Sequence, residues 1–126
     1  MSGAHGEHRV FRAGGVSYLR IPAPEPKRSA AFYAAVFGWT VDSERVDPSF
    51  EDGTGHVIGH FIADLPVAGG AGVRPYIFVD SVDQTLALAG EQGGEVVTAP
   101  YPEGELLVAT LRDLAGNEIG VWQTAS

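Results

Sequence analysis

The chain of 126 residues is long enough for one folded domain and too short for two domains of ordinary size. Eight Lys and Arg against 16 Asp and Glu give a formal net charge of −8. Nucleic acids and anionic membranes are bound through clustered positive charge, so the composition predicts neither as a partner. The chain has no cysteine, which excludes disulfides and thiolate metal sites and fits a cytoplasmic location. No apolar stretch reaches the length of a membrane span.

The first half of the sequence predicts an arm followed by a strand, a helix and further strands. Residues 1–15 are polar and glycine-rich, which indicates a flexible N-terminal arm with a short strand at 9–12. The alternation in VSYLRIP predicts a strand from Val16, and the apolar spacing of residues 26–37 predicts a helix that begins near Pro26 and ends at Gly38. Residues 40–46 and 55–65 are interpreted as strands, with a turn at Asp52 and Gly53 between them.

The second half repeats this order. It predicts a strand at 74–80, a helix at 81–92 with Ser81 as N-cap, and strands at 95–100, 106–113 and 117–123. Ile21 aligns with Ile77 inside one ungapped block, and Gly59 aligns with Gly120 inside a second, separate block. We therefore expect an α+β fold with two tandem βαβββ modules, at about 16–66 and 73–123, in a single domain spanning 16–126. The two sheets are expected to pack around a central cleft with the helices outside.

Three segments carry a resemblance to a known superfamily: IPAPEPKRSAAFYAAVFGW, YIFVDSVDQTLALAGEQGGEVV and RDLAGNEIGVWQ. They resemble the vicinal oxygen chelate superfamily, which includes glyoxalase I, extradiol dioxygenases and the bleomycin resistance proteins, over about residues 16–123. The resemblance implies a homodimer, because family members often pair. It leaves the activity open, because this fold hosts isomerases, oxygenases, transferases and proteins that only bind.

Enzymes of this superfamily hold a divalent metal at up to four equivalent strand positions, usually with His or Glu. The resemblance places these positions at Tyr18, Gly59, Arg74 and Gly120. None of the four is an ordinary ligand, so we expect no metal and no other cofactor. A divalent metal is therefore disfavoured. It stays possible only if the four positions are misassigned by one residue, because a shift of one residue exchanges the two faces of a strand.

Strand alternation then indicates which side chains line the expected cleft. The candidate ligand-binding residues are Tyr18, Arg20, Phe61, Arg74, Tyr76, Phe78, Glu118 and Trp122. Such an aromatic lining with a few charges suits a flat or partly apolar ligand, although the same aromatic residues could simply form core. An inward arginine needs an anionic ligand or an ion pair, for which Glu118 is the available carboxylate. By the same alternation, His60 is expected to point away from the cleft.

Three functions are compatible with these residues. The first is a metal-free small-molecule binder with an aromatic cleft. The alternative is an enzyme of the superfamily, of lyase, isomerase or dioxygenase type. It would depend on metal if the ligand register is misread, or it would use side chains such as Tyr18, Arg20, Arg74 or Glu118 for acid–base or electrostatic catalysis. The third is a scaffold whose cleft is filled by its own side chains. The sequence specifies no catalytic residue and no ligand identity.

Overall fold

The computed structural model describes residues 9–124, and the chain divides into two compact units between Leu65 and Pro66. Among the described residues, each unit contains one four-stranded mixed sheet and one helix of ten or more residues, so the α+β fold with tandem βαβββ modules is confirmed. Within residues 9–124, no helix is long and apolar enough to cross a membrane. Residues 1–8 lie outside the described part of the chain, and the flexible arm and the single domain at 16–126 stay predictions.

The first unit contains strands β1 to β4 and helix α1. Their bounds are β1 Tyr18–Pro22, α1 Pro26–Phe37, β2 Thr40–Asp42, β3 Ser49–Glu51 and β4 Ile58–Ile62. The strand order across the sheet is β1-β4-β3-β2, in which β1 and β4 are parallel and the other pairs are antiparallel.

Helix α1 begins and ends as its sequence predicts. Pro26 occupies the first turn, where the missing N–H costs no helical hydrogen bond, and Gly38 ends the helix in the left-handed conformation with a φ of 71°. One face of α1 packs on the sheet through Tyr33, whose ring centroid lies 5.4 Å from that of Phe61. Phe61 in turn lies 5.2 Å from Phe50. These contacts form an aromatic core between helix and sheet, which fixes the face of β4 that points inward.

The second unit contains strands β5 to β8 and helix α2. Their bounds are β5 Tyr76–Phe78, α2 Val82–Glu91, β6 Glu95–Glu103, β7 Leu106–Arg112 and β8 Glu118–Thr124. The strand order is β5-β8-β7-β6, with β5 and β8 parallel. The predicted N-cap is confirmed, because the Ser81 hydroxyl accepts a hydrogen bond of 3.1 Å from the backbone N–H of Gln84.

Two predictions for the first unit are wrong. Residues 9–12 form no strand, because Arg9 and Val10 are helical and the chain then turns, with the N–H of Gly15 bonded to the carbonyl of Arg12. The strand predicted at 40–46 stops at Asp42, whose side chain accepts a hydrogen bond of 3.1 Å from the N–H of Glu44 and so turns the chain. A separate strand, β3, follows this turn.

Candidate ligand-binding surfaces

A turn precedes the last strand of each unit, and the two turns differ in length by one residue. In the second unit the N–H of Asp113 donates to the carbonyl of Asn117, four residues on, at 2.8 Å. In the first unit the N–H of Asp52 donates to the carbonyl of Val57, five residues on, at 2.9 Å. The first turn therefore contains one extra residue, and the side chains of β4 are shifted by one position relative to those of β8.

This extra residue places His60, and not Gly59, on the face of β4 shared with Tyr18. The Tyr18 hydroxyl and His60 Nδ1 lie 2.7 Å apart and share a hydrogen bond. On the opposite face, a Cβ at Gly59 would collide with the carbonyl oxygen of Leu19 and lie 2.5 Å from the Phe50 ring. The expectations that Gly59 shares the face of Tyr18 and that His60 points away are therefore both wrong.

Phe61 is also on the other face from the one predicted. Its side chain is fully buried in the aromatic core with Tyr33 and Phe50, beneath α1. Strand alternation alone could not assign Phe61 to this face, because the shift of β4 depends on the length of the preceding turn. Phe61 is thus a packing residue of the first unit.

The face that carries Tyr18 and His60 borders a pocket with a volume of about 580 Å³, which we call the Tyr18 pocket. Its lining residues are Tyr18, Arg20, Arg45, Val46, Asp47, His60 and Ile62. Two of the sequence candidates, Tyr18 and Arg20, are brought together here. The sequence interpretation missed residues 45–47, because it placed 45 and 46 in a strand, whereas the structure has them in the irregular segment between β2 and β3.

Two of the seven residues that line the Tyr18 pocket are arginines. Among residues 9–124, neither Arg20 nor Arg45 forms an ion pair or a side-chain hydrogen bond with a described partner. Elsewhere, Arg28 lies 3.2 Å from a carboxylate oxygen of Glu25 on the exposed surface. The two pocket guanidinium groups are therefore available to water or to a ligand.

The second unit presents an aromatic surface on its paired strands β5 and β8, which we call the Trp122 face. It consists of Arg74, Tyr76, Phe78, Glu118, Gly120 and Trp122. Phe78 is paired with Trp122 across the two strands, and their rings meet edge to face with centroids 4.9 Å apart. Tyr76 and Phe78 are 46% and 53% exposed, which is high for aromatic side chains. The five ligand-binding candidates of this unit thus share one face, together with Gly120.

Gly120 leaves space for the ring of Tyr76 in the same unit. A Cβ at this position would collide with the Tyr76 ring, because Tyr76 lies directly opposite on β5. On the other side of β8, Thr110 lies opposite Gly120 in the antiparallel pairing and therefore on the same face. The Thr110 hydroxyl is buried and has no hydrogen-bond partner within residues 9–124. The Trp122 face thus combines aromatic rings with one unsatisfied hydroxyl beneath them.

The expected arginine–glutamate pair is confirmed on the Trp122 face. An Arg74 guanidinium nitrogen lies 2.8 Å from a carboxylate oxygen of Glu118, whose side chain is only 9% exposed. The pKa of Arg74 is raised above its ordinary value, first by hydrogen bonding with the Tyr76 side chain and then by attraction to the Glu118 carboxylate. Arg74 is therefore a permanent cation whose charge is already neutralised by a neighbour.

The residues at the superfamily's metal positions do not match the ligands of a divalent metal centre. When the longer turn is taken into account, these positions are Tyr18 and His60 in the first unit, and Arg74 and Gly120 in the second. Only His60 is an ordinary neutral ligand for such an ion. In the part of the chain that the structure describes, no three His, Cys, Asp or Glu side chains form a group that could hold a metal.

Comparison with known proteins agrees with this fold. Residues 18–122 match the family model described as a glyoxalase-like domain. No curated protein matches the chain in sequence. Among solved structures, the chain is similar to a glyoxalase/bleomycin resistance protein/dioxygenase family enzyme from Burkholderia phytofirmans PsJN. The two are 22% identical, with a TM-score of 0.70 over 86% of this chain and 97% of the other.

Two further solved structures extend the comparison. TnmS3 from Streptomyces sp. CB03234, described as an antibiotic binding protein, is 18% identical, with a TM-score of 0.69 over 90% of this chain and 98% of that one. A glyoxalase/bleomycin resistance protein from Albidiferax ferrireducens T118 is 20% identical, with a TM-score of 0.69 over 85% and 96% of the two chains. At these identities the likeness concerns the fold. With the family match, it shows that the chain belongs to the glyoxalase-like domain family of the vicinal oxygen chelate superfamily.

Proposed function

We propose that the protein is a metal-free small-molecule binder whose ligand is aromatic or amphipathic and contacts the Trp122 face. The observation that carries this proposal is the exposure of Tyr76 and Phe78, about half of each side chain, beside the ring of Trp122. Adjacent exposed aromatic rings provide apolar area and flat surfaces for stacking.

Three other findings support this proposal. Arg74 and Glu118 neutralise each other, so the face offers little net charge to a ligand and favours contacts with the rings. The structurally similar TnmS3 is described as an antibiotic binding protein, which is a precedent for a ligand-binding role on this fold. The absence of a suitable donor set among residues 9–124 favours binding without a metal.

A second candidate function is a metal-independent enzyme that uses acid–base chemistry. The hydrogen bond between Tyr18 and His60 favours it, because a hydroxyl bonded to an imidazole can transfer a proton to or from a bound molecule. The scaffold alternative has less support, since the first unit contains an open pocket of about 580 Å³. A homodimer and a cytoplasmic location remain part of the proposal, the first through family resemblance and the second through composition.

Fluorescence of Trp122 tests the binding proposal directly. The chain has two tryptophans, and the Trp39→Phe variant leaves Trp122 as the sole reporter. We expect saturable binding of 2-naphthol with a dissociation constant at least about tenfold below that of decahydro-2-naphthol, which has a similar carbon skeleton and no aromatic ring. Each constant is taken from the concentration dependence of the Trp122 signal, corrected for the absorption and emission of 2-naphthol. Turnover of a probe, followed by chromatography, would instead favour the enzyme.

A pair of matched variants locates the binding. Phe78→Ala should weaken 2-naphthol binding by about tenfold, because one stacking contact is worth about 1 kcal/mol beyond the apolar area it buries. Phe11→Ala is the control, since Phe11 is also an exposed phenylalanine, at 76%, and lies outside both surfaces. The proposal fails if the two variants bind alike or if the aromatic and saturated alcohols bind with the same dissociation constant.

A further inference from the structure

We propose that the Tyr18 pocket is a binding site for an oxyanion attached to a short apolar group, with Arg20 and Arg45 holding the anion. The inference concerns the first unit alone and goes beyond the aromatic contacts proposed for the Trp122 face. It rests on the charges, the hydrogen-bonding groups and the apolar side chains that line this one pocket.

Unpaired positive charge is the first argument. Arg20 and Arg45 line the same pocket, and neither forms an ion pair within residues 9–124. Asp47 lines the same pocket but lies more than the 4 Å of an ion pair from either guanidinium. Two arginines and one aspartate leave a local surplus of positive charge. Guanidinium groups bind carboxylates and phosphates with paired hydrogen bonds.

The Tyr18–His60 pair adds a hydrogen-bond donor to the same lining. If the Tyr18 hydroxyl donates to Nδ1, the neutral imidazole carries its proton on Nε2. If Nδ1–H donates to the hydroxyl, the phenolic proton is free to donate elsewhere. In both arrangements the pair keeps one N–H or O–H that is not used within it. The pocket therefore lines up two cations and one further donor, which together favour an acceptor-rich ligand.

Apolar side chains indicate what is attached to the anion. Val46 is 91% exposed and Ile62 is buried, and both line the pocket beside the charged groups. An exposed valine next to an unpaired arginine suits a ligand with an apolar part adjacent to its charged end. A pocket of about 580 Å³ lies within the size range of small-molecule sites. The chemical class is thus an organic carboxylate or a phosphate monoester with a short hydrocarbon tail.

Three small probes test this site without involving aromatic stacking. Hexanoate and hexyl phosphate carry the two anions, and hexanamide has the tail of hexanoate without its charge. Binding is followed by NMR through the side-chain Nε–H signals of Arg20 and Arg45 and the ring signals of His60. We expect saturable shifts with at least one anion, and at least about tenfold weaker binding of hexanamide. Whichever of hexanoate and hexyl phosphate binds more tightly identifies the anionic group, carboxylate or phosphate, that the pocket prefers.

Charge-removing variants complete the test. Arg20→Gln and Arg45→Gln should each weaken binding of the preferred anion by about tenfold or more, because each variant removes a charge-assisted hydrogen bond to the anion. Arg28→Gln removes the same charge from an exposed helix position outside the pocket and should leave binding unchanged. Both pocket arginines are exposed, so the variants should fold. The inference is overturned if hexanamide binds as well as the anions, if no probe shifts these signals, or if Arg28→Gln has the same effect as the pocket variants.

Discussion

Gly59 and Gly120 show how one residue type serves two different structural needs. At Gly59 the backbone of β1 and the ring of Phe50 approach the strand so closely that no side chain fits. At Gly120 the three atoms nearest to an added Cβ all belong to the Tyr76 ring, and Tyr76 is itself about half exposed. Backbone cannot move without breaking the sheet, whereas an exposed ring can turn away. The loss in the free energy of unfolding on adding a methyl group should therefore be much larger at Gly59 than at Gly120.

Alanine substitutions measure this difference. Gly59→Ala should lower the free energy of unfolding by about 3 kcal/mol or prevent folding, because the added carbon collides with the Leu19 carbonyl. Gly120→Ala should cost about 1 kcal/mol, since Tyr76 can move. Gly53→Ala, where nothing lies within 4 Å, should change stability by less than about 0.5 kcal/mol. Urea unfolding gives all three values, and a Gly59→Ala protein as stable as Gly53→Ala would contradict the placement of β4.

Among elements, the turns before β4 and β8 have the greatest consequence for the candidate sites. Each is organised by one aspartate, Asp52 or Asp113, whose carboxylate accepts backbone N–H groups. The turns look alike in sequence, which is why the glycines of the two units align without a gap. The extra residue lies in the turn before β4 and shifts the side chains of β4 by one position. His60 therefore shares a face with Tyr18, and Gly59 lies on the opposite face. Counting along the sequence could not detect this difference, because it appears only in the hydrogen bonds.

Removing each turn carboxylate should destabilise the protein to a different extent. Asp113 is 2% exposed and accepts from the N–H groups of Ala115, Gly116 and Asn117, and Asp113→Ala would remove all three of these side-chain hydrogen bonds from a partly buried turn. We expect a loss of about 3 kcal/mol. Asp52→Ala should cost about 1 kcal/mol, because its turn is more open and water can replace the carboxylate. Thermal or urea denaturation distinguishes the two, and a larger loss for Asp52→Ala would refute this account of the turns.

Helices were easier to predict than strand faces. Pro26, Gly38 and Ser81 mark the ends of α1 and α2 through local chemistry, so the structure confirms these boundaries. Arg45 lines the Tyr18 pocket because β2 ends at Asp42, before Arg45 is reached. The end of β2 is fixed by a hydrogen bond from the N–H of Glu44 to the Asp42 side chain. Such a bond competes with the strand pairing and leaves no distinctive periodicity in the sequence.

For the whole molecule, the repeated order of elements made the tandem βαβββ fold predictable, whereas the chemistry of the two units diverges. The first unit has a pocket with two unpaired arginines. The second has an aromatic face on which Arg74 and Glu118 neutralise each other. Of the four positions that hold the metal in enzymes of the superfamily, Tyr18, His60, Arg74 and Gly120, only His60 is an ordinary ligand. This mismatch supports the proposal that the protein binds organic ligands without a metal ion.

Elemental analysis of the purified, tag-free protein tests that claim most directly. The protein is incubated with Mg²⁺, Mn²⁺, Fe²⁺, Ni²⁺ or Zn²⁺, desalted, and its metal content is compared with its concentration. Since His60 is the one ordinary ligand at the four positions, we expect each metal far below one ion per chain. A ratio near one ion per chain, lost in a His60→Ala variant, would contradict the account and indicate a metal-dependent enzyme.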